Sequence, residues 1–521
     1  MKDIRCELFT CLILVAVQVP LCAQSTGSVP ASVQPSSSTS MADTHSVELE
    51  RKLEAISSAL AVTHQQLEQS QQEMEQLRQE LVQIRKQLAL AQSVPGESSN
   101  SAGTADAAKA TAAAIEDLQE RQQTTEAQVK VHDQTKVESS SKYPLHVTGL
   151  ILFNSFVNRG SVDNIDLPEA ALSNQNNTTG NGSAGATFRQ TILGLEGYGP
   201  RIAGARTSAD VNLDFFAGLA YSSYATSAGT VRMRTASINL DWTYDSLQAG
   251  FVGPLISPLS PTSYAMVAEP ALSGAGNLWT WAPQLRYAHQ IPFQSGRRVQ
   301  LEFGVWDPPT AGYSTNVLFR VPSPGEASKQ PGYESRISYG TFAGEHPLQI
   351  GLGGYYSRQS YYGNQSVDSW AVTTDWRVPL GSRFEVSGEG YRGRALGGLG
   401  GGVYKDALFG VYAPTGQNAY RGLNAIGGWT QFKTHFSRSL EANASIGLDD
   451  GYASDFHEFI FPPTATATQL RARNEMIFGN LIFKPKTYLI LSPEYRRILT
   501  WPIYGNVSTA DIFTLSAGYQ F

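Results

Sequence analysis

From Ser46 the apolar positions fall into an unbroken 3-4 repeat. One seam carries Ser46, Leu53, Leu60, Leu67, Met74, Leu81 and Leu88; the other carries Leu49, Ile56, Thr63, Ser70, Leu77, Ile84 and Ala91. Such a repeat predicts a coiled coil over 44–93. Leu beside Ile in successive layers favours three strands, and about 46 residues at ~1.5 Å each give a rod of roughly 70 Å. Pro95 and Gly96 end it. Residues 94–142 read as a low-complexity linker with a weak helix, Ile115, Leu118 and Val129 keeping partial phase.

Beyond residue 143 the period changes from helical to two. Segments of about ten residues, rich in Tyr, Phe, Val, Gly and Thr, begin with LHVTGLILFNSF (145–156) and end with ADIFTLSAGYQF (510–521). Sixteen can be marked out. The intervals 157–186, 219–229, 253–281, 307–331, 358–366, 394–420, 451–472 and 500–509 are long, and each alternates with a short turn such as the one at Gly381. A sandwich or propeller gives no reason for long and short connections to segregate. A transmembrane barrel of antiparallel strands does. Ten residues at ~3.4 Å, tilted about 40°, span roughly 25 Å of hydrocarbon. Closure also explains a chain that stops in mid-strand on Phe521, because in lipid the last strand must pair with the first. The fold expected over 143–521 is therefore an all-β transmembrane barrel of sixteen antiparallel strands, preceded by an α-helical coiled coil.

Composition refines this picture. The chain is 41% hydrophobic and 16% charged, with no downstream run of 18 apolar residues, which excludes a membrane-spanning helical bundle. The start, MKDIRCELFTCLILVAVQVPLCAQS, has a basic head, an apolar stretch from Leu8 to Val19 and a cleavage site after Ala23, so 1–23 reads as a signal peptide. Cys22 keeps a lipoprotein alternative open. All three cysteines lie in this segment, so disulfides and thiolate chemistry are not expected in the mature chain. Residues 24–43 are Ser/Pro-rich and read as a disordered linker. The net charge of −6 gives no case for nucleic acid as a partner.

Alternation nominates the lumen side chains: Asp210, Asp214, Gln284, Arg286, Glu302, Arg336, Asp375, Arg377, Glu385, Glu389, Lys433, Glu441, Glu494 and Arg496. Both signs occur, so no uniform field is expected. The third long interval, GPLISPLSPTSYAMVAEPALSGAGNLWT, has a single charge, Glu269. That is too apolar for a solvated hairpin, so the loop is expected to rest inside the barrel. The stretch DDGYASDFHE offers Asp449, Asp450, Asp455, His457 and Glu458 as hard ligands, though a solvated acidic loop is the plainer reading. No hydrolase, zinc-protease or P-loop motif is present, and no cofactor or metal is expected.

RQTILGLEGYG (189–199), RTASINL (234–240) and APQLRYAHQ (282–290), following a coiled coil, resemble the DcaP-like and phosphate-selective (O/P type) outer-membrane porins of Gram-negative bacteria. The C-terminal Tyr519 and Phe521 are similar to the signature read by the barrel assembly machinery. The resemblance implies a homotrimer in the outer membrane, with the coiled coil in the periplasm and the third loop narrowing the channel. Pro261, Tyr264, Glu269 and Trp279 would then sit near the constriction, opposite Arg286 or Arg336, with Glu302, Arg377 and Arg496 on the wall. Because acids interrupt the arginines, the solutes implied are small and hydrophilic, organic anions rather than phosphate among them. The implied activity is passive diffusion, not catalysis. A structural role, tethering the envelope through the coiled coil, is the alternative.

Overall fold

The computed structural model describes residues 145–173, 181–219, 228–293, 296–311, 320–341, 347–461 and 465–521. The signal peptide, linkers and coiled coil expected before residue 143 lie outside them.

Seventeen strand segments form one sheet. The chain order is β1 (Leu145–Arg159), β2 in two pieces (Gly182–Thr187 and Ile192–Tyr198), β3 (Arg206–Asp214), β4 (Arg232–Asp241), β5 (Asp245–Val252), β6 (Ala282–Pro292), β7 (Arg298–Trp306) and β8 (Gly332–Gly340). There follow β9 (Gln349–Tyr361), β10 (Gln365–Leu380), β11 (Phe384–Arg394), β12 (Asn424–His435), β13 (Leu440–Gly451), β14 (Arg471–Lys486), β15 (Leu489–Pro502) and β16 (Ser508–Gln520). Both pieces of β2 pair with β1, so the seventeen segments make sixteen staves. Each stave pairs antiparallel with its neighbour, and β16 pairs with β1 from Ile512↔Asn158 to Gln520↔Leu150. The sheet is therefore a closed barrel with no free edge, the form in which lipid-facing strands satisfy their backbone groups.

Every expected segment is found as a stave, because each alternates cleanly enough to bury one face. In β8 the sequence YESRISY puts Tyr333, Ile337 and Tyr339 outside and Glu334, Arg336 and Ser338 inside. Two connections differ from expectation. The interval 358–366 contracts to a three-residue turn, Tyr362–Asn364, because β9 and β10 stay paired as far as Tyr361↔Gln365. The last interval shrinks to 503–507 for the same reason. The break in β2 was not expected: at Phe188–Thr191 the strand leaves the ladder, and the Thr191 hydroxyl accepts from the Leu152 amide at 3.1 Å in place of a backbone carbonyl.

The inside of the barrel is two-sided. Trp429, Met476, Phe478, Ile498, Ala510 and Ile512, from β12 and β14–β16, form an apolar arc packed against Leu167 and Ala171 of the first loop and Leu259, Met266 and Leu272 of the third. The opposite arc carries Arg286, Glu302, Glu334, Arg336, Asp375 and Glu389. Within the sixth and seventh loops, Ala407–Tyr412, Gln417–Gly422 and Phe459–Ile460 make a small separate sheet.

Candidate functional site

The third loop, 253–281, folds into the lumen, as its composition predicts. The wall holds it by side chains that bond mostly to its backbone, joined by two of its serine hydroxyls, so the loop needs no charge of its own there. Glu334 on β8 accepts from the Leu255 amide at 2.6 Å. Thr373 on β10 donates to the Ile256 carbonyl at 2.7 Å. Glu389 on β11 accepts from the Ser257 hydroxyl and from the Leu259 amide, the latter at 2.6 Å. Gln431 on β12 accepts from the Thr262 amide at 2.7 Å, and Glu494 on β15 from the Ser263 hydroxyl at 2.5 Å. The loop thus follows the wall from β8 to β15.

The circuit closes at the break in β2. There Gln190 turns inward, accepts from the Val267 and Ala268 amides at 2.7 and 3.1 Å and donates to the Ala265 carbonyl at 3.0 Å. On β4, Arg232 and Arg234 donate to the Ala268 and Val267 carbonyls, both at 2.6 Å, while sharing Asp214 of β3. The loop's exposed Pro258 and Ser260 face away from these anchors. The result is a ring of backbone pinned to the inner wall.

Loops 1 and 6 reinforce it. Trp279 donates to the Tyr404 hydroxyl at 3.4 Å, and Tyr404 donates to Glu169 at 2.9 Å, linking loops 3, 6 and 1. Glu269 lies beside Glu169. Burial first, then the Glu269 carboxyl, push the Glu169 pKa well above the usual carboxylate range, which favours its neutral acid.

Among the residues nominated from sequence, Pro261 is buried in the loop, Tyr264 lies 5.8 Å under the Lys484 ammonium, and Trp279 meets Trp281 edge-on at 5.1 Å. Arg286 donates to Gln284 at 2.6 Å and to the Gly253 carbonyl at the root of the loop. Arg336 binds Glu302 and, through two bonds of 2.8 Å, Asp375. Gly351 makes this last pair possible: a Cβ there would stand 2.1 Å from Asp375 Oδ2. Arg377 lies 3.8 Å from Glu385, nearer the short-turn rim, and Arg496 is buried against Glu494 on the apolar arc. Glu302, Arg336 and the neighbourhood of Arg286 are therefore brought together, whereas Arg377 and Arg496 stand apart. The expected facing of Glu269 by Arg286 or Arg336 does not occur. Its charged neighbours are Glu169 and Arg234.

The acidic stretch 449–458 does not converge on a cation. Asp449 points inward, accepting from the Tyr391 hydroxyl at 2.5 Å and the Val403 amide at 2.8 Å, while Asp455 accepts from the Asn424 amide at 2.7 Å. Among the described residues no three His, Cys, Asp or Glu side chains gather as metal ligands. Sequence reasoning missed Gln190, Glu169 and Tyr404, which carry no pattern. Arg232 and Arg234 were missed as well, although their alternation with the outward Met233 was the signal that could have found them.

No family model and no curated protein matches the sequence. Solved structures do. The outer membrane channel DcaP of Acinetobacter baumannii superimposes with a TM-score of 0.56 at 14% identity, over 73% of this chain and 99% of that one. The fold is that of a Gram-negative outer-membrane porin. An anion-selective porin from Comamonas acidovorans matches at a TM-score of 0.45 and 11% identity, over 73% of this chain and all of that one. OprB of Pseudomonas putida matches at 0.41 and 11%, over 72% and 94%.

Proposed function

We propose that the protein is a diffusion porin, passing small hydrophilic solutes, organic anions among them, through a lumen narrowed by the third loop. The observation that carries this is the ring of loop backbone pinned to the inner wall of a closed barrel. It leaves a polar arc of alternating charge on the β6–β11 side, which suits water and polar solutes. Beside β4, Arg232 and Arg234 share Asp214, and Glu269 lies next to Arg234, so there too both signs are present. Assembly as a homotrimer with a periplasmic coiled coil, after insertion by the barrel assembly machinery, completes the reading. Planar-bilayer recording on purified protein tests it: discrete conductance steps are expected, and removal of 254–279 should enlarge them. A second reading, a barrel that mainly anchors a tether, is favoured by the apolar core that fills the β12–β16 arc. Zero current in both proteins would select it.

A further inference from the structure

On the outer face of β15, β16 and β1, three rows of outward positions lie across the seam. The row nearest the long-loop rim aligns Arg497, Asp511 and Arg159; the next aligns Tyr495, Phe513 and Val157; the third aligns Pro493, Leu515 and Ser155. Pro493, Ser155 and Gly479 of β14 project little side chain, and the surface is hollowed there into a groove of about 680 Å³ walled by Tyr495, Phe513 and Leu515.

The charges above the groove do not cancel. Asp511 accepts from the Tyr495 hydroxyl at 2.8 Å and pairs with Arg497 at 3.4 Å. Arg159 is exposed, stands 5.4 Å from the centroid of the Phe513 ring, and has no carboxylate partner among the described residues. Two guanidinium groups against one carboxylate, set over an apolar trough on a lipid-facing wall, call for an anion covalently joined to hydrocarbon. Guanidinium groups match phosphate oxygens in forked geometry.

We propose that this groove binds one net-anionic phosphorylated, acylated lipid of the surrounding leaflet, with a phosphate between Arg159 and Arg497 and an acyl chain lying over Pro493. The inference rests on the barrel being seated in a membrane and not on what crosses its lumen.

Native mass spectrometry of the purified full chain in non-ionic detergent tests it, with diphosphorylated lipid A, phosphatidylethanolamine and inorganic phosphate as probes. Lipid A should bind at least tenfold more tightly than phosphatidylethanolamine and resist displacement by inorganic phosphate. The double variant Arg159→Gln/Arg497→Gln should lose at least tenfold in affinity. Gly479→Leu should do the same with both arginines intact, since a Cβ at Gly479 has ordinary room, its nearest neighbour being 3.7 Å away. Both variants should keep wild-type heat-modifiable migration and channel conductance, which separates loss of the lipid from misfolding and from failure of the porin reading. Wild-type retention by the variants, equal binding of phosphatidylethanolamine, or displacement by inorganic phosphate would overturn the proposal. So would a change of oligomeric state with lipid retention unaltered, which would make this face a contact between copies.

Discussion

Phe521 exchanges both backbone hydrogen bonds with Gly149, its carbonyl accepting at 2.9 Å and its amide donating at 3.0 Å. The final residue is thus a rung of the closing ladder, and its ring occupies the space a side chain at Gly149 would need. A Cβ there would lie 2.7 Å from the Phe521 ring and 2.9 Å from the Ile192 carbonyl oxygen. Gly149→Val should therefore open the seam at a cost of about 1–3 kcal/mol, lowering the fraction that migrates as the compact band on unheated gels. Gly354→Ala, whose Cβ would meet nothing nearer than 3.7 Å, is the matched control and should migrate as wild type.

The Arg336 cluster predicts an asymmetric response. The Arg336 and Asp375 side chains are 3% and 0% exposed, Glu302 17%. Removing the cation with Arg336→Leu strands two carboxylates and should destabilise by roughly 3–5 kcal/mol. Glu302→Gln should cost far less, because Arg336 keeps Asp375. Thermal unfolding followed by circular dichroism in detergent distinguishes the two, and equal melting temperatures would refute the ordering.

Alternation showed the staves plainly because a period of two is the direct imprint of one wet and one dry face. Where both faces are apolar it says less. In NEMIFGNLIF, Met476 and Phe478 pack inward while Ile477 and Leu481 face out, and only the loops that cover the inner pair decide the matter. The third loop announced itself by lacking charge, yet its anchors could not be read, since Ser263 and Glu494 are 231 residues apart. The exact turn lengths at 362–364 and 503–507 depend on how far two strands stay paired past the hydrocarbon, and the apolar pattern ends before the pairing does.

Loosening one anchor should be audible in the current. Glu389 holds the loop at two adjacent points, with Trp429 Nε1 a further donor at 3.4 Å. Each hydrogen bond contributes about 0.5–1.5 kcal/mol. Glu389→Ala should increase open-channel noise and mean conductance, and Glu389→Gln, which keeps an acceptor for the Leu259 amide, should do so less. Quiet, wild-type traces from the alanine variant would show that the loop is held elsewhere.

Loop 6 should be held most weakly near neutral pH. Burial raises the Asp406 pKa from 3.8 to about 6, although the Ala311 and Gly398 amides donate to it at 2.5 and 3.1 Å. Its raised pKa gives stability that is full below about 4 and lost as pH rises to about 6. Burial, then Arg471, lower the Lys405 pKa from 10.5 to about 7, with Asp449 opposing. That contribution is present above about 10.5 and is lost as pH falls to about 7. Hydrogen exchange of residues 395–423 should be fastest between pH 6 and 7 after correction for intrinsic rates, and Asp406→Asn should flatten the acid limb. A monotonic profile would contradict this.

The ring around the inner wall also sets an order of events in biogenesis. Residues 253–281 emerge early, yet their seats on β11, β12, β14 and β15 are contributed by the last third of the chain. Until those staves are in place the loop has only its anchors on β2, β4, β8 and β10, and Leu259, Met266 and Leu272 lack the Trp429, Met476 and Phe478 surface they cover. The lumen must therefore acquire its final shape late, after the wall around it has been laid down, and any arrest of the C-terminal hairpins would leave an unclosed sheet with its inner lining only half attached.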